Sequence, residues 1–473
     1  MLRFPREFFL ICICTVYALA FASIRTQVRG LYGENGIQPV DVYLRSVKVG
    51  NASESHGVST FEWIADKFPT LVWLHEPFQW TPSFCMEVIC LAGVTIALLG
   101  MVQPAWRTTG PLTLLWICYL SIVKCGQTFM QFQWDSFLLE IGVLAVLMAP
   151  WWHRGKPDDT FETPAAAVWT LRFLFFKFML MSGAVKIQSR CPTWLGLTAL
   201  DFHFATQPLP LPLSWYALQA PYRITSAYGL FRTMTGVGTV KMANEQHVSV
   251  VARPEIILEG TEDGGLTWKS YHFKYKPGDL SSAPRLIAPF QPRLDWQMWF
   301  AALGDYHSAP WLVNLVAKLL EGSRDVKELL DTTRDPFPDA PPDAIRAQLY
   351  YYDFTRLNTS WNQALPTAKI LNYNDTQWWT RTFVKEYLPA LERGNPSLTA
   401  FVEHHWPSTG ARLSSETNEA SKLRQWVDRG LGWLCNTSWS PVGLAAGGVL
   451  AQSGVAAMFR TRRRAMLTKL KIQ

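Results

Sequence analysis

Charge is scarce in this chain: Asp, Glu, Lys and Arg together make up only 17% of 473 residues, below the roughly 25% usual for soluble domains. With 49% hydrophobic residues, including 22 Trp and 27 Phe, the chain is too apolar to be wholly soluble and long enough for two domains. Catalytic signatures are absent as well. There is no HExxH, GxSxG, Walker A loop or zinc-spaced Cys/His set, so hydrolase and nucleotide-binding readings have no motif to stand on, and neither metal nor cofactor is implied. The eight Cys include no CxxC pair and do not form a disulfide scaffold. Cys12, Cys14, Cys85, Cys90 and Cys118 lie in or at apolar segments as small hydrophobes, which leaves Cys125, Cys191 and Cys435 free to pair. No internal repeat occurs. The net charge of +7 rests largely on the last fourteen residues, where Arg460, Arg462, Arg463, Arg464, Lys469 and Lys471 meet no acid. That pattern fits a membrane-flanking anchor better than a nucleic-acid surface.

What the chain does contain is a series of apolar windows. Phe8 to Ile24 is just long enough to span a bilayer, with Arg3 and Arg6 before it and Arg25 and Arg29 after it. Its alternative is a cleaved signal peptide, because Ala20-Phe21-Ala22 has the small-x-small form of a cleavage site. Further windows are Phe84 to Gln103, Leu112 to Val123, Met130 to Ala149, Ala165 to Lys186 and Val442 to Phe459. With the N-terminus cytosolic, the first five crossings place the Asn-x-Ser/Thr sequons at Asn51, Asn358, Asn374 and Asn436 in the lumen. A sixth crossing returns the basic tail to the cytosol, as the positive-inside rule asks. The tail ends with Lys469 and Lys471 in K-x-K-x-x form, similar to a dilysine retrieval signal read by coat machinery; the alternative is two solvated lysines.

The expected architecture is therefore a multi-pass α-helical membrane protein with a C-terminal lumenal α+β, β-rich domain and a final transmembrane helix. Its segments are a first helix with flanks (1–29), a lumenal loop (30–83), a helical bundle (84–187), a lumenal or interfacial connection (188–222), the β-rich domain (223–407), a linker (408–438), the last helix (439–459) and a basic cytosolic tail (460–473). Within the β-rich domain, Pro254 to Gly260 and Leu266 to Lys276 read as a hairpin turning at Glu262-Asp263-Gly264-Gly265, with Tyr271, Phe273 and Tyr275 on one aromatic face. Gln348 to Phe354 reads as a strand, and Trp311 to Leu320 and Arg381 to Leu388 as helices.

The most unusual stretch is FMQFQWDSFLLEIG, Phe129 to Gly142, which places amides, an Asp and a Glu on a membrane-spanning segment. Ionisable groups in lipid are expensive and usually serve a purpose. At 1.5 Å per residue, Glu140 lies roughly 15 Å below a lumenal start at Met130 and Lys177 roughly 18 Å above a cytosolic start at Ala165, both near mid-membrane. These two are expected to pair, with Gln131 and Asp135 nearer the lumenal mouth, Arg172 nearer the cytosol, and Lys186 a further polar group. Their roles divide between a buried ion pair holding helices in register and a substrate or proton site. His203, His404 and His405 read as structural, and Trp296, Trp299, Trp378 and Trp379 as core.

On LAFASIRTQVRGLYGENGI, FQWDSFLLEIGVLAVLMAP, LMSGAVKIQSRCPTWLGLTALDFHFATQPLPLPLSWY, YGLFRTMTGVG, RPEIILEG, FKYKPGDL and APFQPRLDWQMWFAALG, the chain resembles the lipase maturation factors, in order and over most of its length. QPRLDWQMWFAALG is more similar to the family's second paralogue than to its first. The resemblance implies an endoplasmic reticulum membrane protein, not an enzyme, that helps immature secreted lipases such as lipoprotein lipase reach their assembled form. Between Ser214-Trp215-Tyr216 and Tyr228-Gly229-Leu230 the family carries a long block of further membrane helices, where this chain has about a dozen residues. The derived topology holds if an even number of crossings is missing. Two other readings stand beside this one. The helical block distantly resembles the membrane domain of the vitamin K-dependent carboxylase, with Asp135, Glu140, Lys177 and Lys186 as its suspects, and a shortened form would merely scaffold other proteins.

Overall fold

The computed structural model describes residues 3–52, 69–151, 162–209, 234–241, 247–285, 287, 289–354, 377–407 and 429. The expected last helix and basic tail, with Lys469 and Lys471, lie outside these residues, as do the sequons at Asn358, Asn374 and Asn436. Asn51 falls near the end of a helix that the sequence did not announce, α3 as numbered below.

The N-terminal part is helical: α1 (Arg3–Arg25), α2 (Val28–Tyr32), α3 (Val40–Ala52), α4 (Pro82–Val102), α5 (Thr109–Cys125), α6 (Gln133–Met148), α7 (Ala165–Gln188) and α8 (Ala199–Thr206). Of these, α1, α4 and α7 contain stretches long and apolar enough to cross a membrane, while α5 is apolar but shorter. Local chemistry sets the boundaries. Thr81 caps α4 by accepting a hydrogen bond from the Phe84 N–H at 3.2 Å, with Pro82 in the first turn where its missing N–H costs nothing.

Neighbouring helices run in opposite directions. Gly93 of α4 meets Phe21 of α1, while seven residues further along α4 Gly100 meets Cys14, one turn or more back toward the start of α1. Trp116 Nε1 of α5 donates to the Leu139 carbonyl of α6 at 3.0 Å, and Phe137 of α6 packs at a tilt against Phe178 of α7, ring centres 4.9 Å apart. At one end of the bundle Arg107 Nε holds Glu7 Oε2 at 3.0 Å; at the other lie Arg25, Pro82, Cys125, Gln133 and Gln188. The second end carries the sheet domain.

That domain contains a two-stranded ribbon, β1 (Val237–Lys241) with β2 (His247–Val251), and an antiparallel sheet of β3 (Arg253–Thr261), β4 (Lys269–Ser270), β5 (Ala344–Phe354) and β6 (Trp379–Glu392) in the order β4-β3-β5-β6. Helix α9 (Arg293–Ala302) packs on β3, followed by α10 (Pro310–Leu320) and α11 (Pro396–His405). Most of the buried apolar residues form one continuous cluster from Leu10 in α1 to Leu398 in α11, so bundle and sheet share a core; Ala205, Ile257, Tyr352, Phe354 and Trp379 form a second, smaller cluster.

Two expectations are corrected. Residues 381–388 are strand, not helix, within β6. The pairing of β5 with β6 contains register shifts, and Tyr387 and Leu388 are buried side by side; these adjacent apolar residues break the alternation of two and imitate a helical period. The second hairpin strand is also short. Only Lys269–Ser270 pairs as strand, because the N–H groups of Tyr275 and Lys276 go instead to Asp295 Oδ1, at 2.8 and 2.9 Å. Tyr271 and Phe273 are buried in the core and present no open aromatic face.

A methyl placed on Gly93 would meet the Phe21 ring at 2.6 Å, so the α1–α4 contact depends on a bare backbone there. Gly93→Val is expected to destabilise the bundle by roughly 1–3 kcal/mol, the usual range for overpacking. A lowered thermal midpoint of the detergent-purified protein checks it, and an unchanged midpoint contradicts it.

Candidate functional site

Asp135 sits in the first turn of α6, where the helix N-terminus favours a carboxylate, and is completely buried. Its Oδ1 accepts from Tyr119 Oη at 2.6 Å and from Arg293 Nη2 at 2.8 Å, and its Oδ2 accepts from Arg293 Nη1 at 2.5 Å. Arg293 opens α9 in the sheet domain and is equally buried. Its guanidinium lies 5.4 Å from the centre of the Phe132 ring and donates further to the Phe129 carbonyl at 3.3 Å and to Gln291 Oε1 at 3.0 Å. A two-pronged guanidinium–carboxylate pair fixes orientation as well as distance.

Around this pair the two domains exchange backbone hydrogen bonds through side chains. Gln27 Oε1 accepts from the Arg293 N–H at 2.8 Å, and Gln27 Nε2 donates to the Gln291 carbonyl at 2.9 Å. The Gln291 N–H donates to Ser23 Oγ at 2.9 Å. Further along, Gln297 Nε2 reaches the Thr128 carbonyl at 2.7 Å, and Asn314 Nδ2 reaches the Ile37 carbonyl at 2.7 Å. Gly30 lets α2 approach closely, since a Cβ there would lie 2.5 Å from the Asp325 carbonyl. Just behind the seam, burial pushes the Asp295 carboxyl above its ordinary range, against the opposing pull of the Lys276 and Tyr275 N–H groups.

A second buried network ties the chain leaving the bundle to the sheet. Arg253 Nε donates to Glu255 Oε1 at 2.7 Å, and Lys276 Nζ lies 3.1 Å from Glu255 Oε2. The same guanidinium donates to the Ala205 carbonyl in the last turn of α8 and to the Gln207 and Pro208 carbonyls just after it.

The residues singled out from sequence are placed unequally. Lys177 Nζ stands 3.2 Å from Glu140 Oε2, but both side chains are about half exposed, on the outer flank of α6 and α7 rather than inside the bundle. Asp135 is brought together with Arg293, 158 positions away, and not with Gln131, whose side chain is exposed. Arg172 is exposed with its guanidinium 4.9 Å from the Trp169 ring. Lys186 Nζ donates to the Ser182 carbonyl at 3.1 Å and lies 4.9 Å from the Trp194 ring. Among the expected core tryptophans, Trp299 and Trp379 are buried, and Trp296 and Trp378 partly so. Cys125 and Cys191 are free thiols. Arg293, Gln291, Tyr119, Gln27 and Ser23 escaped the sequence reading. A lone Arg in the apolar run APFQPRLDW was the available signal for the first.

Residues 4–243 match the model described as the lipase maturation factor transmembrane domain, and residues 224–389 match the lipase maturation factor C-terminal domain. Asp135 falls in the first and Arg293 in the second. The chain is similar to lipase maturation factor 2 of Gallus gallus, 26% identical over 667 aligned positions that cover 92% of this chain and 86% of the relative. Lipase maturation factor 2 of Homo sapiens is 26% identical, covering 85% and 84%, and lipase maturation factor 1 of Mus musculus is 25% identical, covering 83% and 88%. The first alignment is longer than the chain itself, so that relative carries extensive sequence with no counterpart here. No solved structure matches the chain.

Arg293→Met leaves Asp135 buried without its counter-charge and is expected to cost roughly 3–5 kcal/mol, read as a lower thermal midpoint. The double variant Asp135→Leu with Arg293→Met is expected to lose clearly less than the two single losses combined; additive losses contradict the coupling. At the outer pair, Glu140→Lys or Lys177→Glu alone leaves two like charges facing lipid and is expected to lower the yield of folded protein. The swap of both is expected to restore it, and failure of the swap contradicts a direct pairing.

Proposed function

The chain belongs to the lipase maturation factor family, and on that footing we propose that it assists the folding, assembly and transport of secreted lipases without itself catalysing a reaction. The observation that carries this reading is the match to both family domains, in order, on a chain whose two parts share one core. An unassembled client exposes apolar surface, and transient cover of that surface is what a maturation factor has to offer. Tyr351 of β5 and Phe383 of β6 are exposed aromatics on the sheet domain, and they replace the buried Tyr271 and Phe273 as the candidates for such contact.

The chain is read as a multi-pass protein of the endoplasmic reticulum membrane with its sheet domain in the lumen. The alternating direction of the helices supports this, as do the sequons at Asn51, Asn358, Asn374 and Asn436 and the K-x-K-x-x tail. The rival enzymatic reading has Asp135, Glu140, Lys177 and Lys186 as its suspects; of these, Glu140 and Lys177 pair with each other on the outer flank, Lys186 donates to the Ser182 carbonyl, and Asp135 is the buried one. Both of its oxygens are already held by Arg293 and Tyr119, which favours a structural role.

Client capture tests the proposal. The full chain, purified from secretory cells that co-express a secreted lipase, is expected to bring down the unassembled enzyme in preference to the active form. Equal recovery of both forms, or of neither, contradicts it.

A further inference from the structure

We propose that the sheet domain is held by the bilayer as well as by the bundle: helix α9 lies in the membrane interface and presents Trp296, Phe300 and Leu303 to the headgroup–acyl boundary. This rests on the multi-pass reading above, which makes the bundle end that carries the sheet domain one membrane boundary. Trp296, Phe300 and Leu303 follow one another at helical spacing and share a face. Phe300 and Leu303 are exposed, and Trp296 partly so. The neighbours of this face come from the start of a membrane helix. Phe132 stacks on Trp134 at 4.4 Å, Trp134 meets Trp296 edge-on at 4.8 Å, and Phe132 lies 6.0 Å from Phe300. One aromatic cluster thus spans both domains beside Gln133, the first residue of α6.

Two further groups mark the same level. Leu74, Phe78 and Phe84 are exposed around the start of α4, with Trp80 stacked on Phe78 at 4.8 Å. Ile187 in the last turn of α7 and Leu195 and Leu197 after it are exposed, and Lys186 Nζ lies 4.9 Å from the Trp194 ring. The starts of α4 and α6 and the end of α7 all lie at the bundle end that carries the sheet domain. Aromatic rings with adjacent cations at helix ends suit the interface, where the ring replaces water and the cation meets phosphate. A soluble domain would not leave apolar side chains open at three places around one plane; a bilayer boundary accounts for all three. The occupant is phospholipid. For function, this holds the sheet domain against the membrane surface, where a client with exposed apolar surface would itself partition.

The test uses the full chain in phosphatidylcholine nanodiscs. An environment-sensitive dye is placed at Leu303→Cys, with controls at Leu266→Cys in the exposed β3–β4 turn and at Phe176→Cys midway along α7. Quenching is read with nitroxide lipids labelled near the headgroup or deep in the acyl chain, and with aqueous iodide. The Leu303 dye is expected to be quenched most by the shallow nitroxide and at least threefold less by iodide than the Leu266 dye. Iodide quenching equal to that at Leu266, with deep quenching at Phe176, overturns the interfacial placement and leaves the spanning reading intact. Deep quenching at Leu303 also overturns it. If neither Phe176 nor Leu303 responds to lipid nitroxides, both readings fall.

Discussion

The junction between bundle and sheet is arranged around a buried charge that has to be neutralised by a residue distant in sequence. Asp135 could not sit at the buried start of α6 as a carboxylate without a cation, because the cost of burying an unpaired charge is several kcal/mol. Arg293 supplies that cation from the other domain, and Tyr119 takes one remaining lone pair. Once the guanidinium is fixed, the backbone around it must follow. Gln291 and Arg293 hand their backbone groups to Ser23 and Gln27, so the end of α1, the start of α6 and the start of α9 close on one point. A buried ion pair is weak evidence for net stability, and an apolar interface could hold two domains together as firmly. What it adds is specificity: a greasy contact slides, whereas a two-pronged guanidinium–carboxylate pair has one geometry.

Seen from that point, the family blocks acquire a physical meaning. LAFASIRTQVRGLYGENGI contributes Ser23, Gln27 and Gly30, FQWDSF contributes Phe132 and Asp135, and APFQPRLDWQ contributes Gln291, Arg293 and Gln297. RPEIILEG and FKYKPGDL supply Arg253, Glu255 and Lys276 to the second network, which grips the QP of DFHFATQPLP. These words are distant in sequence and adjacent in space.

How much of this was legible beforehand follows from where each signal lives. Apolar windows are local, so the helices of the bundle could be located from composition, as could α10 and β5. The oddity of Asp135 was equally local. Its partner was not, because nothing in the residues near 293 says which of several buried acids they meet; depth arithmetic considers only membrane helices and so looked to Lys177 and Glu140. Those two do stand close, yet on the outer flank, since depth fixes height along a helix and says nothing about which way round it the side chain points. The strand β6 was hidden for a different reason. A bulged ladder buries Tyr387 and Leu388 in succession, and the pattern that results is one a helix also produces.

The same arrangement bears on what the additional sequence of the relatives can affect. The groups of both buried networks come from segments at 23–37, 119–135, 205–208, 253–276, 291–297 and 314–325. The hydrogen bonds described between sheet and bundle are all made by residues of these segments. Helix α7 is in a different position. Only 11% of its apolar window is buried, against 72% for α1 and 56% for α4, and Trp169, Phe173, Phe176 and Leu180 are all exposed. In a bilayer lipid covers such a face without penalty, so an open α7 is compatible with a folded protein. The two halves of the family's design separate on these grounds. Among the described residues, the seam that holds the sheet domain in one orientation is built from buried groups that meet one another, whereas α7 presents an open apolar face.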